Sequence, residues 1–126
     1  MQAIDTNVLV RLLVRDDEQQ VTRADAFVVH GAWVSSLVLA ESVWVLESVY
    51  ERSAKQIATV IHMLLNHAQL VLQDPDVVEK ALASYQNNTK VGFTDHFILA
   101  TAQKAGHTPL ASFDKAFAKL EGVKNL

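Results

Sequence analysis

The stretch QAIDTNVLVRLLVR, from Gln2 to Arg15, holds a short apolar run, an aspartate and then a longer run with apolar residues at helical spacing. This pattern predicts a strand over residues 2–5 and a helix over residues 7–15. The same order returns in AWVSSLVLAESVWVLESVYE, where residues 32–36 favour a strand and residues 37–51 a helix. Because strands that alternate with helices are typical of α/β folds, these two stretches decide the fold class.

The rest of the chain continues the alternation. Further strands are predicted at 69–73, 108–113 and 123–126, and further helices at 16–30, 53–67, 75–87, 94–106 and 115–120. Pro75 suits the first turn of its helix, Thr94 is expected to cap the next one, and Gly106 to end it. We therefore expect an α/β three-layer sandwich around a central, mainly parallel sheet of four to five strands, forming a single domain over residues 1–126.

The composition narrows the class of protein. Half of the residues are hydrophobic and a fifth are charged, with four Gly and two Pro, which is typical of a globular chain and not of a disordered one. The absence of Cys excludes disulfides, thiolate metal sites and a Cys nucleophile. No signal peptide or membrane span is expected, since Asp5 interrupts the first apolar run and the later runs are short. We expect a cytoplasmic protein.

Four carboxylates stand outside the polar stretches that hold most of the fourteen acids. Asp5 and Asp114 each end a predicted strand, and Glu41 and Asp95 each lie early in a predicted helix. In open α/β sheets, ligands bind outside the carboxyl ends of the strands. The four acids are therefore expected to converge at this edge of the sheet.

Glu41 lies in a sequence that is apolar on most sides. Its helical neighbours three and four positions away are Leu37, Val38, Trp44 and Val45, which predicts an apolar stripe around the carboxylate. Asp95 has a similar setting, with Ile98 and Leu99 one turn later. A carboxylate in apolar surroundings costs several kcal/mol, roughly, unless a cation or several donors compensate it.

Helix capping is the alternative role for three of the four acids. Asp5 and Asp114 each precede a predicted helix, and Asp95 could act together with Thr94. Glu41, in mid-helix, has no such role. The four acids together favour a metal site, and because its ligands are all oxygen atoms, the ion is expected to be Mg²⁺ or Mn²⁺.

Four motifs resemble those of the PIN-domain ribonucleases and, within them, the VapC-type toxins of bacterial toxin–antitoxin pairs. The opening IDTNVLVRLLVRDD carries Asp5, and LVLAESVWVL carries Glu41. GFTDHFILATA carries Asp95, and LASFDKAF carries Asp114 after Ser112. The order and spacing of these motifs cover nearly the whole chain.

The resemblance implies a metal-dependent endonuclease that cleaves single-stranded or structured RNA. In that family the acids hold one or two Mg²⁺ or Mn²⁺ ions, and a water activated by the metal attacks the phosphodiester, leaving a 5′-phosphate and a 3′-hydroxyl. Asp5 and Asp95 would be direct ligands, and Glu41 and Asp114 would complete the set. Supporting roles in orienting carboxylates or water are assigned to three neighbours that equally suit turns and caps: Thr6, Asn7 and Ser112.

The resemblance also implies partners. A homodimer is expected, together with a VapB-type antitoxin whose C-terminal segment covers the acids, and the RNA could be a transfer RNA. The net charge of −3 is not an obstacle, since setting aside the four site acids leaves ten acids against eleven Lys and Arg. Three cations near the motifs could contact phosphates or could be ordinary solvated charges: Arg11, Lys90 and Lys115.

Two other interpretations stay open. The first is a Mg²⁺-dependent phosphatase of the haloacid dehalogenase type. Such enzymes need a second Asp, as general acid, two positions after the first, and this chain has Asn7 there. The second is a non-catalytic PIN-like binding module, which the full set of acids disfavours. His96 is not assigned a role, because one helical step turns it about 100° away from Asp95.

Overall fold

The computed structural model describes all 126 residues, which divide into two compact units, Met1–Pro75 and Asp76–Leu126. The first unit contains the strands β1 (Gln2–Ala3), β2 (Ala32–Val34) and β3 (Leu70–Leu72) and the helices α1 (Thr6–Val14), α2 (Glu18–Val28), α3 (Ser36–Ser48) and α4 (Ala54–Leu65). The second contains α5, which begins at the boundary (Pro75–Asn87), α6 (Phe93–Ala105), β4 (Leu110–Ser112), a single 3-10 turn (Phe117–Lys119) and β5 (Val123–Asn125).

The first unit is built on a three-stranded parallel sheet in the order β1-β2-β3. Its register places Ala3 opposite Trp33 and Trp33 opposite Val71. α1 packs against α2 and α3, and α4 packs against β3. The side chains of Leu9 and Leu46 are buried among these helices. Because all three strands are parallel, the helices that follow β1 and β2 begin at the same edge of the sheet.

The second unit has its own two-stranded parallel sheet, in which Leu110 pairs with Val123. Val91, Leu99 and Phe117 form a buried cluster beside this sheet. α6 ends at Gly106, whose φ of 83° lies in the left-handed region and which donates its backbone N–H to Gln103. The predicted role of Gly106 as the helix stop is confirmed.

The predicted α/β class with a parallel sheet is confirmed, and the predicted strands and helices are present with changes at their ends, except that the helix predicted at 115–120 is only a 3-10 turn at Phe117–Lys119. Two further details of the prediction were wrong. The five strands form sheets of three and two rather than one sheet, because β4 bonds only to β5. Thr94 is not an N-cap, since α6 begins one residue earlier and its N-cap is Gly92, without a side-chain hydrogen bond. The single domain expected over the chain stays a prediction.

The helices are too short or too polar to serve as membrane spans, and none qualifies as a candidate.

Candidate active site

Asp5 stands between β1 and α1, at the edge of the sheet where ligands are expected. Its backbone is extended, with φ of −93°, and its Oδ1 accepts a hydrogen bond of 3.0 Å from the backbone N–H of Val8. Ile4 takes the buried position at the end of the strand, and Asp5 after it is exposed. Capping uses one carboxylate oxygen and leaves Oδ2 for another partner. Asp5 is therefore a helix cap that can also act as a ligand.

Glu41 lies on α3, which begins at the same edge of the sheet because it directly follows β2. Ser35 Oγ accepts from Val38 N–H at 3.1 Å, and Gln73 Oε1 accepts from Ser36 N–H at 2.9 Å, so the start of this helix is tightly held. Glu41 lies six residues beyond Ser35, about 9 Å along the helix axis. It is close to the edge but not in the first turn.

The predicted apolar surroundings of Glu41 were wrong. Glu41 is exposed, and its neighbours Leu37 and Trp44 are 83% and 62% exposed. The core side of α3 is formed instead by Leu39 and Val43, which are 1% exposed. Because this helix is apolar on nearly every side, its periodicity did not distinguish the buried face from the exposed one.

In the second unit, Asp95 and Asp114 are close enough for their charges to interact. Asp95 is the third residue of α6 and is half-buried, and Asp114 lies two residues beyond β4. Burial, and after it the negative charge of Asp114, raises the pKa of Asp95 above its ordinary value. These two predicted site acids are therefore brought together.

Asp114 is held in place by local hydrogen bonds. Its backbone N–H donates to Ser112 Oγ at 3.0 Å, and its Oδ1 accepts from the backbone N–H of Phe117 at 2.9 Å. The alternative role of Asp114 as a cap is thus observed, and so is a supporting role for Ser112. Like Asp5, Asp114 uses one carboxylate oxygen to accept a backbone hydrogen bond, and its other oxygen is available to a ligand.

The remaining predicted site residues have less defined positions. Thr6 is the first residue of α1 and is half-buried, and Asn7 is exposed beside it. Lys90 and Lys115 are exposed cations, and only the backbone N–H of Lys90 is bonded, to Asn88 Oδ1. None of these four side chains makes a hydrogen bond that assigns it a role.

Arg11 is paired through one of its guanidinium nitrogens, while its buried Nε has no hydrogen-bond partner. Its Nη1 donates to Asp16 and to the hydroxyl of Tyr50, the latter at 3.3 Å, while Tyr50 donates to Asp16 at 3.1 Å. Burial alone would raise the pKa of Asp16, but the hydrogen bonds from Arg11 and Tyr50 lower it below its ordinary value. Arg11 is therefore less free to bind phosphate than the sequence suggested.

His96 is buried, with 1% of its surface exposed, and both ring nitrogens are bonded. Nδ1 is 2.7 Å from Ser84 Oγ, and Nε2 is 2.9 Å from the carbonyl oxygen of Asn88. A carbonyl oxygen only accepts, so Nε2 donates to Asn88. The ring joins α6 to the end of α5, which agrees with leaving His96 out of the predicted site.

The donor set suits a hard divalent ion. Burial and the charge of Asp114 raise the pKa of Asp95 and only His96 lowers it, so a divalent cation beside these two carboxylates would be favourable. The structure contains no group of three or more Asp, Glu or His side chains arranged to hold a metal ion. The observed candidate is thus the Asp95–Asp114 pair, and the four-acid set stays a prediction.

A cavity of about 590 Å³ in the first unit opens beside Asp5. Its polar and aromatic lining comes from α1 and α2: Asp5, Asn7, Arg11, Gln20, Arg23 and Phe27. The three residues of α2 were not identified from the sequence, although their spacing of three and four residues places Gln20, Arg23 and Phe27 on one helix face.

One family model matches the chain, the PIN domain, over residues 3–123. The match takes in all four candidate acids. The protein therefore belongs to the PIN domain family, whose members are generally metal-dependent nucleases. No curated protein matches the sequence. The family is the one that the sequence motifs resemble, and it favours the nuclease interpretation over the haloacid dehalogenase phosphatase.

The ionisation of Asp95 is expected to destabilise the fold in metal-free buffer. Because its folded-state pKa lies above the ordinary value of 3.8, the stability from this group is complete below that value and is lost as the pH rises through the folded pKa. Asp95→Asn should therefore raise stability at pH 7 in EDTA, by less than about 1 kcal/mol, as for partly exposed charges. Urea unfolding at pH 4 and pH 7 measures both effects.

The matched control is Glu79→Gln on α5, where an exposed acid outside the candidate site is neutralised. It should leave the pH dependence unchanged. A clear loss of stability in Asp95→Asn at pH 7 would contradict the interpretation that the fold disfavours the ionised form of Asp95.

Proposed function

We propose that the protein is a Mg²⁺- or Mn²⁺-dependent endoribonuclease that hydrolyses phosphodiester bonds in RNA. Support comes from the family and, above all, from Asp95: burial and the negative charge of Asp114 raise its pKa, and only His96 acts in the opposite direction. Such a pair is an expected cation site. Asp5 and Glu41 are the other two members of the proposed set.

The roles of the residues follow from their surroundings. Asp95 and Asp114 would hold the ion, Ser112 would keep the Asp114 backbone in position, and Asp5 would use the oxygen that does not cap α1. When bound, the ion would supply an activated water and stabilise charge on the phosphate. Since the ion supplies this chemistry, no Ser, Cys or His nucleophile is needed. His96 is not assigned a catalytic role, because both of its ring nitrogens are hydrogen-bonded to Ser84 and Asn88 within the second unit.

Metal binding is the first test. Mn²⁺ at about 100 times its Kd should stabilise the wild-type protein by about 2.7 kcal/mol, since it binds only the folded chain. Asp95→Asn should lose most of this stabilisation, and Glu79→Gln should keep it. Thermal unfolding with and without Mn²⁺ measures the difference. Equal stabilisation of Asp95→Asn and the wild type would contradict the role of Asp95.

Activity is the second part of the same test. A mixed RNA pool and a phosphomonoester are incubated with the protein and Mn²⁺, and the products are sequenced or quantified. New RNA ends with 5′-phosphates support the nuclease. Binding of Mn²⁺ without cleavage would favour the non-catalytic module, and phosphomonoester hydrolysis without RNA cleavage would favour the phosphatase.

We further propose that this nuclease acts in the cytoplasm as the toxin of a toxin–antitoxin pair. The proposed partners are a second copy of the chain, a VapB-type antitoxin that covers the acids, and a structured RNA such as a transfer RNA. The exposed apolar face of α3, with Leu37 and Trp44, supports a protein partner, since large exposed apolar side chains often mark interfaces. Induction in growing cells, followed by sequencing of RNA ends, tests the toxin role and identifies the target.

A further inference from the structure

The cavity beside Asp5 has the size and lining of a ligand site. Its volume of about 590 Å³ falls within the range of roughly 300–1,000 Å³ that is usual for small-molecule pockets. α1 forms one wall and α2 the other, and both belong to the first unit. Because Asp5 lines the cavity, a ligand there would adjoin a proposed site acid.

Phe27 supplies an aromatic surface in this cavity. It is 42% exposed, although α2 places Val21, Ala24 and Val28 in the core. The core face of this helix is thus complete without the ring of Phe27. A half-exposed ring on the wall of a cavity is a suitable surface on which a nucleobase can stack.

Arg23 supplies an unpaired cation one helical turn before Phe27. It is exposed and makes no hydrogen bond or ion pair. The two other arginines nearby differ, since Arg11 is bonded to Asp16 and Arg15 to Asp25 at 2.7 Å. Arg23 is therefore the arginine on this wall that is available to a phosphate group.

Amide side chains stand on both walls. Asn7 comes from α1 and Gln20 from α2, and neither side chain makes a hydrogen bond in the free protein. An amide both donates and accepts, so it can pair with the polar edge of a base. The cavity thus combines a stacking surface, a cation and two groups able to recognise a base.

We propose that this cavity is a subsite for one nucleotide of the RNA substrate. The base stacks on Phe27, its edge meets Asn7 and Gln20, and Arg23 binds a phosphate. The proposal rests on the proposed ribonuclease function and assigns the part of the substrate that lies beside Asp5. It also assigns to α2 a role in choosing which nucleotide is bound there.

A nucleotide fits this lining better than an apolar ligand does. An apolar ligand would leave the guanidinium of Arg23 and both amides without partners after water is excluded. A purely anionic ligand would make no use of Phe27 or of the two amides. A nucleotide matches all of these groups, because it carries a flat base with a polar edge and a phosphate in one molecule.

Binding is tested in EDTA, where no cleavage occurs. The wild-type protein is titrated with the four ribonucleoside 5′-monophosphates, and backbone amide shifts at Arg23 and Phe27 are followed by NMR. Saturable shifts at these residues are expected. Phe27→Ala should weaken binding about 5- to 150-fold, the range that base stacking on an aromatic ring provides. Arg23→Gln should also weaken nucleotide binding, and the loss of affinity should be larger at low ionic strength than at high ionic strength.

Two exposed residues of the first unit outside the cavity serve as controls. Val29→Ala removes an exposed apolar side chain next to α2, and Arg52→Gln neutralises an exposed arginine without a partner. Both should bind nucleotides as the wild type does. Urea unfolding of all variants identifies any that has lost its fold.

Cleavage of an RNA oligonucleotide separates the subsite from the proposed function. Phe27→Ala and Arg23→Gln should raise KM with little change in kcat, because the subsite binds substrate without joining the chemistry. If both variants bind and cleave as the wild type does while Asp5→Asn is inactive, the subsite is overturned and the function stands. If the wild type cleaves no RNA but the nucleotide titration succeeds, the function fails and nucleotide binding stands. Failure of all four nucleotides to bind overturns the subsite. In that case, weaker binding of a protein partner by Phe27→Ala and Arg23→Gln would assign the cavity to that partner instead.

Discussion

Asp5→Asn is expected to reduce RNA cleavage by more than about 100-fold while leaving the fold intact. Loss of even an outer partner of a metal site costs roughly 10- to 100-fold, and a direct ligand should cost more. The fold should survive because Asn caps helices about as well as Asp, so the hydrogen bond from Val8 N–H can be kept. Initial rates of RNA cleavage in Mn²⁺, together with circular dichroism, measure the two effects.

The chain offers a closely matched control for this variant. Asp17 caps α2 in the way that Asp5 caps α1, with its Oδ1 accepting from Gln20 N–H at 3.0 Å. Asp17→Asn should therefore resemble Asp5→Asn in stability but retain cleavage. Full RNA cleavage by Asp5→Asn would contradict the proposed role of this carboxylate, since helix capping would then be its only function.

Phe93→Ala is expected to destabilise the protein by about 3–5 kcal/mol, the usual cost of emptying a buried aromatic site. Phe93 is the first residue of α6 and is fully buried. Its ring meets Tyr85 edge-on at 5.9 Å and lies 5.5 Å from the ring of Phe97. A loss of this size is a large part of the roughly 5–15 kcal/mol that stabilises a typical domain. Urea unfolding measures it.

The effect bears on the candidate site, because Asp95 lies two residues after Phe93 in the same first turn of α6. Phe113→Ala serves as the control, since Phe113 is 80% exposed and should change stability by no more than about 0.5 kcal/mol. Near-equal stability of the two variants would mean that Phe93 does not anchor the start of α6.

The two caps explain how one residue can serve both structure and chemistry. Asp5 and Asp114 each accept, through Oδ1, a hydrogen bond from the backbone N–H three residues later. A carboxylate has a second oxygen, so capping orients the side chain without using it up. Capping and metal binding, which the sequence presents as competing roles, are compatible in the folded protein.

Much of the fold is determined by local sequence patterns. All predicted elements but the helix at 115–120 are present, and Gly106 ends α6 as expected, because helix periodicity, capping chemistry and glycine conformation act over a few residues. The four acid motifs led to the PIN family for the same reason, since their order and spacing are properties of the chain itself.

Tertiary packing decided the rest. It determined that α3 buries Leu39 and exposes Leu37 around Glu41, a choice that its nearly uniform apolar sequence leaves open. It paired β4 with β5 instead of extending the first sheet. It also brought Asp114 near Asp95 and opened the cavity between α1 and α2. These features depend on contacts between residues far apart in the chain, so the sequence determined which acids and elements this protein has, and only the folded structure decided which of them face solvent and which face each other.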